Sequence, residues 1–485
     1  MMRNCLRLAI ILAILVTCAF LPRSALAQAH WEYSPYDVLV WIVADPQPQV
    51  SPPIQDHIAR QLAARAEAVC GAVWNTTVER APTAAAGALP ETLDLAPTWF
   101  QKGAPDVLKR DKLLVVRLRA GGLGWEVTAR ELDCRAWQWG PMAVRSAGGV
   151  DELPLAMWDA VVEAFVPLAR IESVEGTAVV VRLRAGGLIT RAGSPALVDQ
   201  GRILQPIIRR NDRAGQPLPN TGIQSLAWTL LAVESRADSL LSCKLHSGYR
   251  GALSSKAGPR TERLALAAKP QFPATTLMLK SRTGDRGPLA GYEIFAKRPD
   301  SENVVHLGTS DWRGQIELPR GDGSLELLLI RNGSQLLARL PIIPGQDERL
   351  TADLMDDDGR LQAEGAVAAM HSRALDLVAR REILASRFRA RVKEGKFDEA
   401  QALLDEFRRL ESRADLSRSF DEMQKAVVAT DRLTQQRIAR LFDDARRLLS
   451  VKGLSDDMVN TLAGELTKAR TATSTTSTTA APATN

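Results

Sequence analysis

Cysteine, histidine and aromatic side chains are all scarce in this chain. Its 485 residues hold five cysteines, five histidines and 5% aromatics. Two of the cysteines, Cys5 and Cys18, fall in an amino-terminal leader. The remaining Cys70, Cys134 and Cys243 are an odd number at wide spacing, which excludes a cysteine-stapled scaffold. They leave open either three buried thiols or one bridge with a thiol over. The histidines (His30, His57, His246, His306 and His371) are scattered. There is no His-Glu-x-x-His, no Cys-x-x-Cys and no Gly-x-Ser-x-Gly, so zinc hydrolysis and serine-elbow catalysis lack their motifs. No Walker loop or Gly-x-Gly-x-x-Gly follows a strand pattern, so nucleotide binding lacks its phosphate cradle. Charge of one sign is lacking too: 62 basic against 56 acidic residues give +6, and loss of Arg3, Arg7 and Arg23 with the leader removes three of that excess. So small a balance is no footprint for nucleic acid.

Long hydrophobic runs are also missing, with one short exception. A basic start (Arg3, Arg7), an apolar run from Leu8 to Leu21, and Ala25-Leu26-Ala27 before Gln28 form the tripartite secretory pattern, with cleavage expected after Ala27. The run is too short to cross a ~30 Å hydrocarbon core comfortably. Thr17 before Cys18 suits lipidation poorly. No later stretch reaches membrane-spanning length, so a periplasmic or secreted protein without a transmembrane segment is expected, and an arginine-rich, disulfide-poor composition of this kind is bacterial in character.

The patterns divide the mature chain into a multidomain α+β protein. Residues 28–170 read as an α/β domain. Tyr36 to Val43 is an apolar strand, Pro52-Pro53 opens a helix with Ile54, Ile58, Leu62, Ala66 and Val69 at helical spacing, and Val73 to Val78 is a second strand. Lys112 to Arg119 and Trp125 to Leu132 then form a hairpin about Gly121-Gly122-Leu123-Gly124, and Leu153 to Leu168 reads as a helix. Eight of the ten tryptophans fall in this unit. Residues 171–272 read as a small β barrel with strands at Ala178 to Leu183, Leu204 to Arg209, Gln224 to Val233 and Leu240 to Leu245. Nine residues, Val115 to Leu123, recur verbatim as Val180 to Leu188; this suggests two similar strand-to-turn corners or chance convergence.

Residues 273–358 carry seven short strand patterns, at Thr276 to Lys280, Tyr292 to Ala296, Val304 to Leu307, Gln315 to Leu318, Leu325 to Ile330, Gln335 to Pro341 and Arg349 to Leu354. Turn signals separate them, Asn332-Gly333 being the strongest. Residues 359–470 read as helices at Ala366 to Lys393, Phe397 to Glu411, Ser417 to Ser450 and Ser455 to Arg470. The Thr/Ser-rich stretch 471–485 is too polar and simple to pack and reads as a disordered tail.

Three local patterns resemble known families. Gly287-Pro288-Leu289-Ala290-Gly291-Tyr292-Glu293-Ile294, followed by Leu307-Gly308-Thr309-Ser310-Asp311-Trp312-Arg313-Gly314, resembles carboxypeptidase-regulatory-like, transthyretin-like Ig-type modules over about 274–355. The resemblance implies an Ig-like β sandwich with an accessory role in support, spacing or binding. Gly124 to Asp133 is similar to α/β domains of bacterial envelope proteins, and Val174-Glu175-Gly176, Asp212 to Gly215 and Val233-Glu234-Ser235 look like the barrel of flagellar assembly protein T. Lys393 to Ala400 resembles the inter-helix turn of one tetratricopeptide unit, in a hairpin near 385–410.

Few chemical constellations stand out. Asp45, Arg130, Glu131 and Asp133 are the candidate acid–base groups if the amino-terminal domain is an enzyme. Cys243 and His246 are three apart on a strand and so face opposite ways. Asp353 to Gly359 partly fits a calcium loop, but Leu354 and Gly365 occupy its essential ends, where side-chain oxygens are required. Trp137 and Trp139 on one strand face suggest a sugar-stacking platform, set against plain core packing. Arg437, Arg440, Arg446 and Arg447 beside Asp443 and Asp444 read as a solvated helix face. No catalytic residue, cofactor or metal is expected. The reading is an exported envelope protein with a non-catalytic binding or scaffolding role, whose partners are envelope proteins met through the helices or the sandwich, or else a cell-wall polysaccharide.

Overall fold

The structure, a computed structural model, describes residues 30–478 apart from 123, 192, 220, 254–257, 284, 430 and 448–453. The leader expected at 1–27 and residues 479–485 of the expected tail lie outside the described residues. The chain is a mixed α and β protein made of several sheets, a closed six-stranded barrel and a carboxy-terminal helical region.

The first unit is a five-stranded sheet in the order β2-β1-β3-β4-β5, formed by β1 (Tyr36–Ala44), β2 (Trp74–Arg80), β3 (Lys112–Gly121), β4 (Gly124–Asp133) and β5 (Gln138–Ala147). Strand β1 is parallel to β2 and β3, and the rest is antiparallel. The nearly continuous apolar run of β1 has a direct cause, because both of its faces are covered. Val38, Val40 and Ile42 pack with α1 (Pro52–Cys70) and α4 (Leu153–Ala164). Leu39, Trp41 and Val43 pack with the short helices α2 (Thr83–Ala88) and α3 (Pro97–Gly103). Strand β5, which carries Pro141, is not among the strands delimited from the sequence, although Trp137 and Trp139 are expected on a strand face there. The strand tolerates this proline because it is the sheet edge, where a missing ladder donor costs nothing. Helix α4 ends at Ala164, and the residues beyond it enter the barrel instead of continuing the helix to Leu168.

The barrel runs β10-β11-β7-β6-β12-β8 and closes through β10 on β8, with Leu231 opposite Leu204. Its strands are β6 (Leu168–Glu175), β7 (Ala178–Leu183), β8 (Ile203–Arg210), β10 (Thr229–Ala237), β11 (Leu240–Ser247) and β12 (Thr261–Ala267), and β9 (Ile223–Ser225) extends β8. Sequence reading misses β6 and β12. It also joins β9 to β10, which Trp228 separates by taking a left-handed φ of 55°. The nine-residue echo adopts two different structures: the first copy stays extended to Gly121, whereas the second leaves its strand at Leu183 and turns at Ala185, with φ 59°. The two corners therefore differ, and long-range pairing decides the conformation.

All seven strands expected in the third unit are present, in two sheets over one core: β16-β13-β19 and β15-β14-β17-β18. They span β13 (Ala274–Ser281), β14 (Glu293–Lys297), β15 (Val305–Thr309), β16 (Gln315–Pro319), β17 (Glu326–Asn332), β18 (Gln335–Ile342) and β19 (Arg349–Leu354). An apolar seam of Ile203, Leu230, Leu325, Leu327 and Ile343 joins this unit to the barrel.

The helical region holds α5 (Asp358–Lys393), α6 (Phe397–Arg409), α7 (Arg413–Ala426), α8 (Arg432–Arg446) and α9 (Asp457–Thr478). The single helix expected over Ser417 to Ser450 is broken between Ala426 and Arg432, where Asp431 caps α8 by accepting from the backbone of Leu433 and Thr434. Helix α9 runs to Thr478, so the first part of the expected disordered tail is helical. Among the described residues, no helix is long and apolar enough to cross a membrane.

Candidate functional site

The β3–β4 hairpin brings together a cluster of three fully buried charges. Its register sets Lys112 directly opposite Asp133 and Leu114 opposite Glu131. Lys112 Nζ lies 2.6 Å from Glu131 Oε1 and 2.8 Å from Asp133 Oδ2, and it donates to the Val166 carbonyl at 2.5 Å. Glu131 Oε2 accepts from the Val166 backbone N–H at 2.8 Å. Asp133 Oδ1 accepts from the backbone of Arg135 and Ala136. The Phe165 and Tyr36 rings flank the ammonium at 5.1 and 5.9 Å. The side chains are sealed, with 0% of Lys112, 1% of Glu131 and 2% of Asp133 exposed.

Burial dominates the electrostatics here. It works against the Lys112 charge, but the Asp133 and Glu131 carboxylates outweigh it and hold the ammonium above its ordinary range. Burial pushes Glu131 up to about 7 against the opposing pull of Lys112, and the neighbouring Asp133 carboxylate adds a smaller push in the same direction. Tyr36 is raised by burial; its hydroxyl donates to the Leu168 carbonyl and accepts from the Leu168 N–H, tying the first strand to the first strand of the barrel.

A cleft of about 110 Å³ opens beside the cluster where the three β units meet. Glu131, Asp133 and Trp139 come from the first unit, Gln205 and Leu266 from the barrel, and Gln346 from the third unit. The glutamines are engaged with one another and with backbone. Gln205 Nε2 donates to the Leu226 carbonyl at 2.8 Å, Gln346 Nε2 to Gln205 Oε1 at 3.4 Å, and Gln271 Nε2 to the Gln346 carbonyl at 3.3 Å. The Gln346–Gln205 hydrogen bond links the third unit to the barrel across this cleft.

The four acid–base candidates do not converge. Glu131 and Asp133 share a face of β4. Arg130 points away, donating to the carbonyls of Gly140 and Thr92 and pairing with Asp94 at 3.1 Å. Asp45 lies at the end of β1, half exposed, 3.6 Å from Arg119. Lys112 is the member that sequence reading missed. Its signal was available: counting equal steps back from Gly121 and forward from Gly124 places Lys112 opposite Asp133.

The other candidates separate in the same way. Trp137 sits in the turn before β5 with φ 50°, off the strand face, while Trp139 donates to the Leu95 carbonyl and packs on Phe100, so the two form no stacking platform. Cys70, Cys134 and Cys243 are free and buried. Burial pushes the Cys70 thiol up to about 11, Cys243 up to about 12 and Cys134 upward as well, which keeps all three protonated and poorly nucleophilic. Cys243 faces the barrel core and His246 lies on the other face. In the acidic stretch, the Asp357 carboxylate is spent on buried Arg360 at 2.6 Å, and Asp353 lies in β19. Arg446 pairs with Asp421 and Asp443, and Arg447 with Asp444, as a solvated helix face would.

No family model matches the chain, and no curated protein matches it. Among solved structures it is similar to the PelC dodecamer from Paraburkholderia phytofirmans, at 14% identity over 27% of this chain and 86% of that one, with a TM-score of 0.17. It is similar also to TolB from Acinetobacter baumannii, at 10% identity over 66% of this chain and 96% of that one, with a TM-score of 0.18. Scores of that size carry no argument about fold or activity, and the functional reading rests on the chain's own geometry.

Proposed function

We propose that this chain is an exported envelope protein with a non-catalytic binding or scaffolding role, and that residues 273–358 form an Ig-like accessory module. The observation that carries this reading is the sealed Lys112, Glu131 and Asp133 cluster. Charges that converge yet expose 0–2% of their side chains satisfy one another across β3 and β4, and the two carboxylates at the edge of the narrow cleft offer a substrate very little surface. The Gln346–Gln205 hydrogen bond and the apolar seam support the same role by linking the third unit to the barrel.

The helical region and the third unit supply the partner surfaces. Leu375 and Ile383 on α5 are 58% and 53% exposed, and Val305 and Trp312 on the third unit are 52% and 73% exposed. Apolar groups of this size in the open suit a protein partner. Photo-crosslinkers placed at Leu375 and Ile383 in the full-length protein in cells should capture a distinct envelope polypeptide. Export predicts a protein recovered from the periplasm or medium that begins at Gln28; an unprocessed chain confined to the cytosol would contradict it.

A second reading, an acid–base enzyme in the amino-terminal unit, draws on Glu131, whose carboxyl titrates near 7 in the wall of a cleft. It requires the cleft to open, so a Glu131→Gln variant that folds but loses a turnover measured on the wild type would favour it.

A further inference from the structure

Helix α5 has two unlike faces. Its buried residues, among them Met370, Leu377, Leu384 and Phe388, share one face and pack on the other helices. On the opposite face Ser372, Leu375, Ala379, Ile383 and Ser386 recur at steps of three, four, four and three, which lines them up along the helix axis. All five are exposed, Leu375 and Ile383 to 58% and 53%. Ala368 and Ala390 continue the line at its two ends, and it carries no charge over that span, about 33 Å of helix. The order is the same read in either direction from Ala379: a large aliphatic side chain at four residues, a serine at seven and an alanine at eleven. A two-fold axis at Ala379 that relates two antiparallel copies of α5 therefore sets each Leu375 against Ile383 of the other copy, and small residues against small ones. Such self-complementarity is what an isologous interface requires, and small side chains at its centre let the helix axes approach to about 8–10 Å.

The charges beside the line fit the same axis. Asp376 and Arg380 lie on one flank, and among the described residues neither forms an ion pair, whereas Arg373 and Arg381 nearby are taken by Glu411 and Asp456. Across the axis, Asp376 of one copy comes beside Arg380 of the other, offset by about 3 Å along the helix, and symmetry makes this contact twice. Glu382, the acid on the other flank, stays about 9 Å from its own copy along the same direction.

We propose that two copies of this chain pair through α5, antiparallel about a two-fold axis at Ala379, with Leu375 of each copy packed against Ile383 of the other. The inference rests on the reading of Leu375 and Ile383 as a partner surface and names the polypeptide met there as a second copy of the chain. The surface at Val305 and Trp312 is left to other partners.

The test is sedimentation equilibrium of the full-length mature protein together with cysteine crosslinking. A dimer is expected. Ala379→Cys, on the axis, should oxidise to a disulfide-linked dimer, whereas Ala369→Cys, at an exposed alanine off the line whose two copies stand about 30 Å apart in the pair, should not. The native thiols are buried and do not compete. Asp376→Arg, which gathers four arginines around the axis, should raise the dimer dissociation constant about tenfold, and adding Arg380→Asp should restore it. All of these side chains are exposed, so each variant should keep the wild-type unfolding temperature. A monomeric wild type, or a folded Ala379→Cys that links no better than Ala369→Cys, overturns the pairing. A photo-crosslinker at Leu375 in cells separates this inference from the reading beneath it: an adduct of the chain with itself supports the pairing, an adduct with a different polypeptide overturns it and leaves the partner surface standing, and no adduct removes both.

Discussion

A protonated amine with no exposed surface persists at Lys112 because two carboxylates and the Val166 carbonyl surround it. Removing it strands the carboxylates. Lys112→Met should therefore destabilise the fold by about 3–5 kcal/mol, the range for breaking a buried ion pair from one side, read as a lowered denaturant midpoint at neutral pH. Glu131 gives the opposite kind of signature. Its folded pKa of about 7 lies above its ordinary value of 4.5, so between those limits the folded state binds a proton that the unfolded state releases. Stability contributed by this group is present below pH 4.5 and declines as pH rises towards about 7. Glu131→Gln should remove that decline; an unchanged slope of stability against pH would show that other groups set it. Part of this site was legible in the sequence. The spacing of Glu131 and Asp133 marked one face of one strand, and the glycine turn fixed the register. Their enclosure was not legible, because Val166, Phe165 and Tyr36 reach the cluster from elements far away in sequence.

At the scale of elements, legibility follows how locally each one is specified. Strand β1 and helix α1 carry unbroken periodic patterns and appear where the patterns place them. Strands β6 and β12 do not, because they are defined by pairing within the barrel: β12 lies between β6 and β8, and nothing near Thr261 announces it. The junction of the third unit with α5 rests on Arg360, whose guanidinium meets the Asp357 carboxylate, Glu364 and the Asn332 carbonyl, while the Tyr292 hydroxyl accepts from the Asp357 N–H at 3.0 Å. Arg360→Ala should leave a buried carboxylate unpaired and cost about 3–5 kcal/mol. Hydrogen exchange should then accelerate in the first turns of α5 and not in β1, whereas uniform acceleration would mean that the junction is not a local hinge. Gly395 closes α5 with φ 73° and open space around it, so Gly395→Ala should cost about 1 kcal/mol through backbone strain alone.

At the scale of the whole molecule, the three β units interlock through Tyr36 to Leu168, the Gln346–Gln205 hydrogen bond and the seam at Ile203, Leu230, Leu325, Leu327 and Ile343, and the helices extend from the third unit. Leu325→Ala should cost about 2–5 kcal/mol and loosen the third unit from the barrel, seen as protease cleavage between residues 267 and 274. The account's central claim is that the buried cluster is internal and meets no partner, while exposed apolar groups do. The most direct measurement compares crosslinking in cells, from a probe at Trp312 and one at Arg380, for two full-length variants that both pass a thermal-unfolding check. Lys112→Met with Glu131→Gln and Asp133→Asn should capture the same envelope polypeptide as the wild type, and Leu375→Glu with Ile383→Glu should lose the capture made from the helical probe. Loss of capture in the folded cluster variant, with capture intact in the helix variant, would contradict the account.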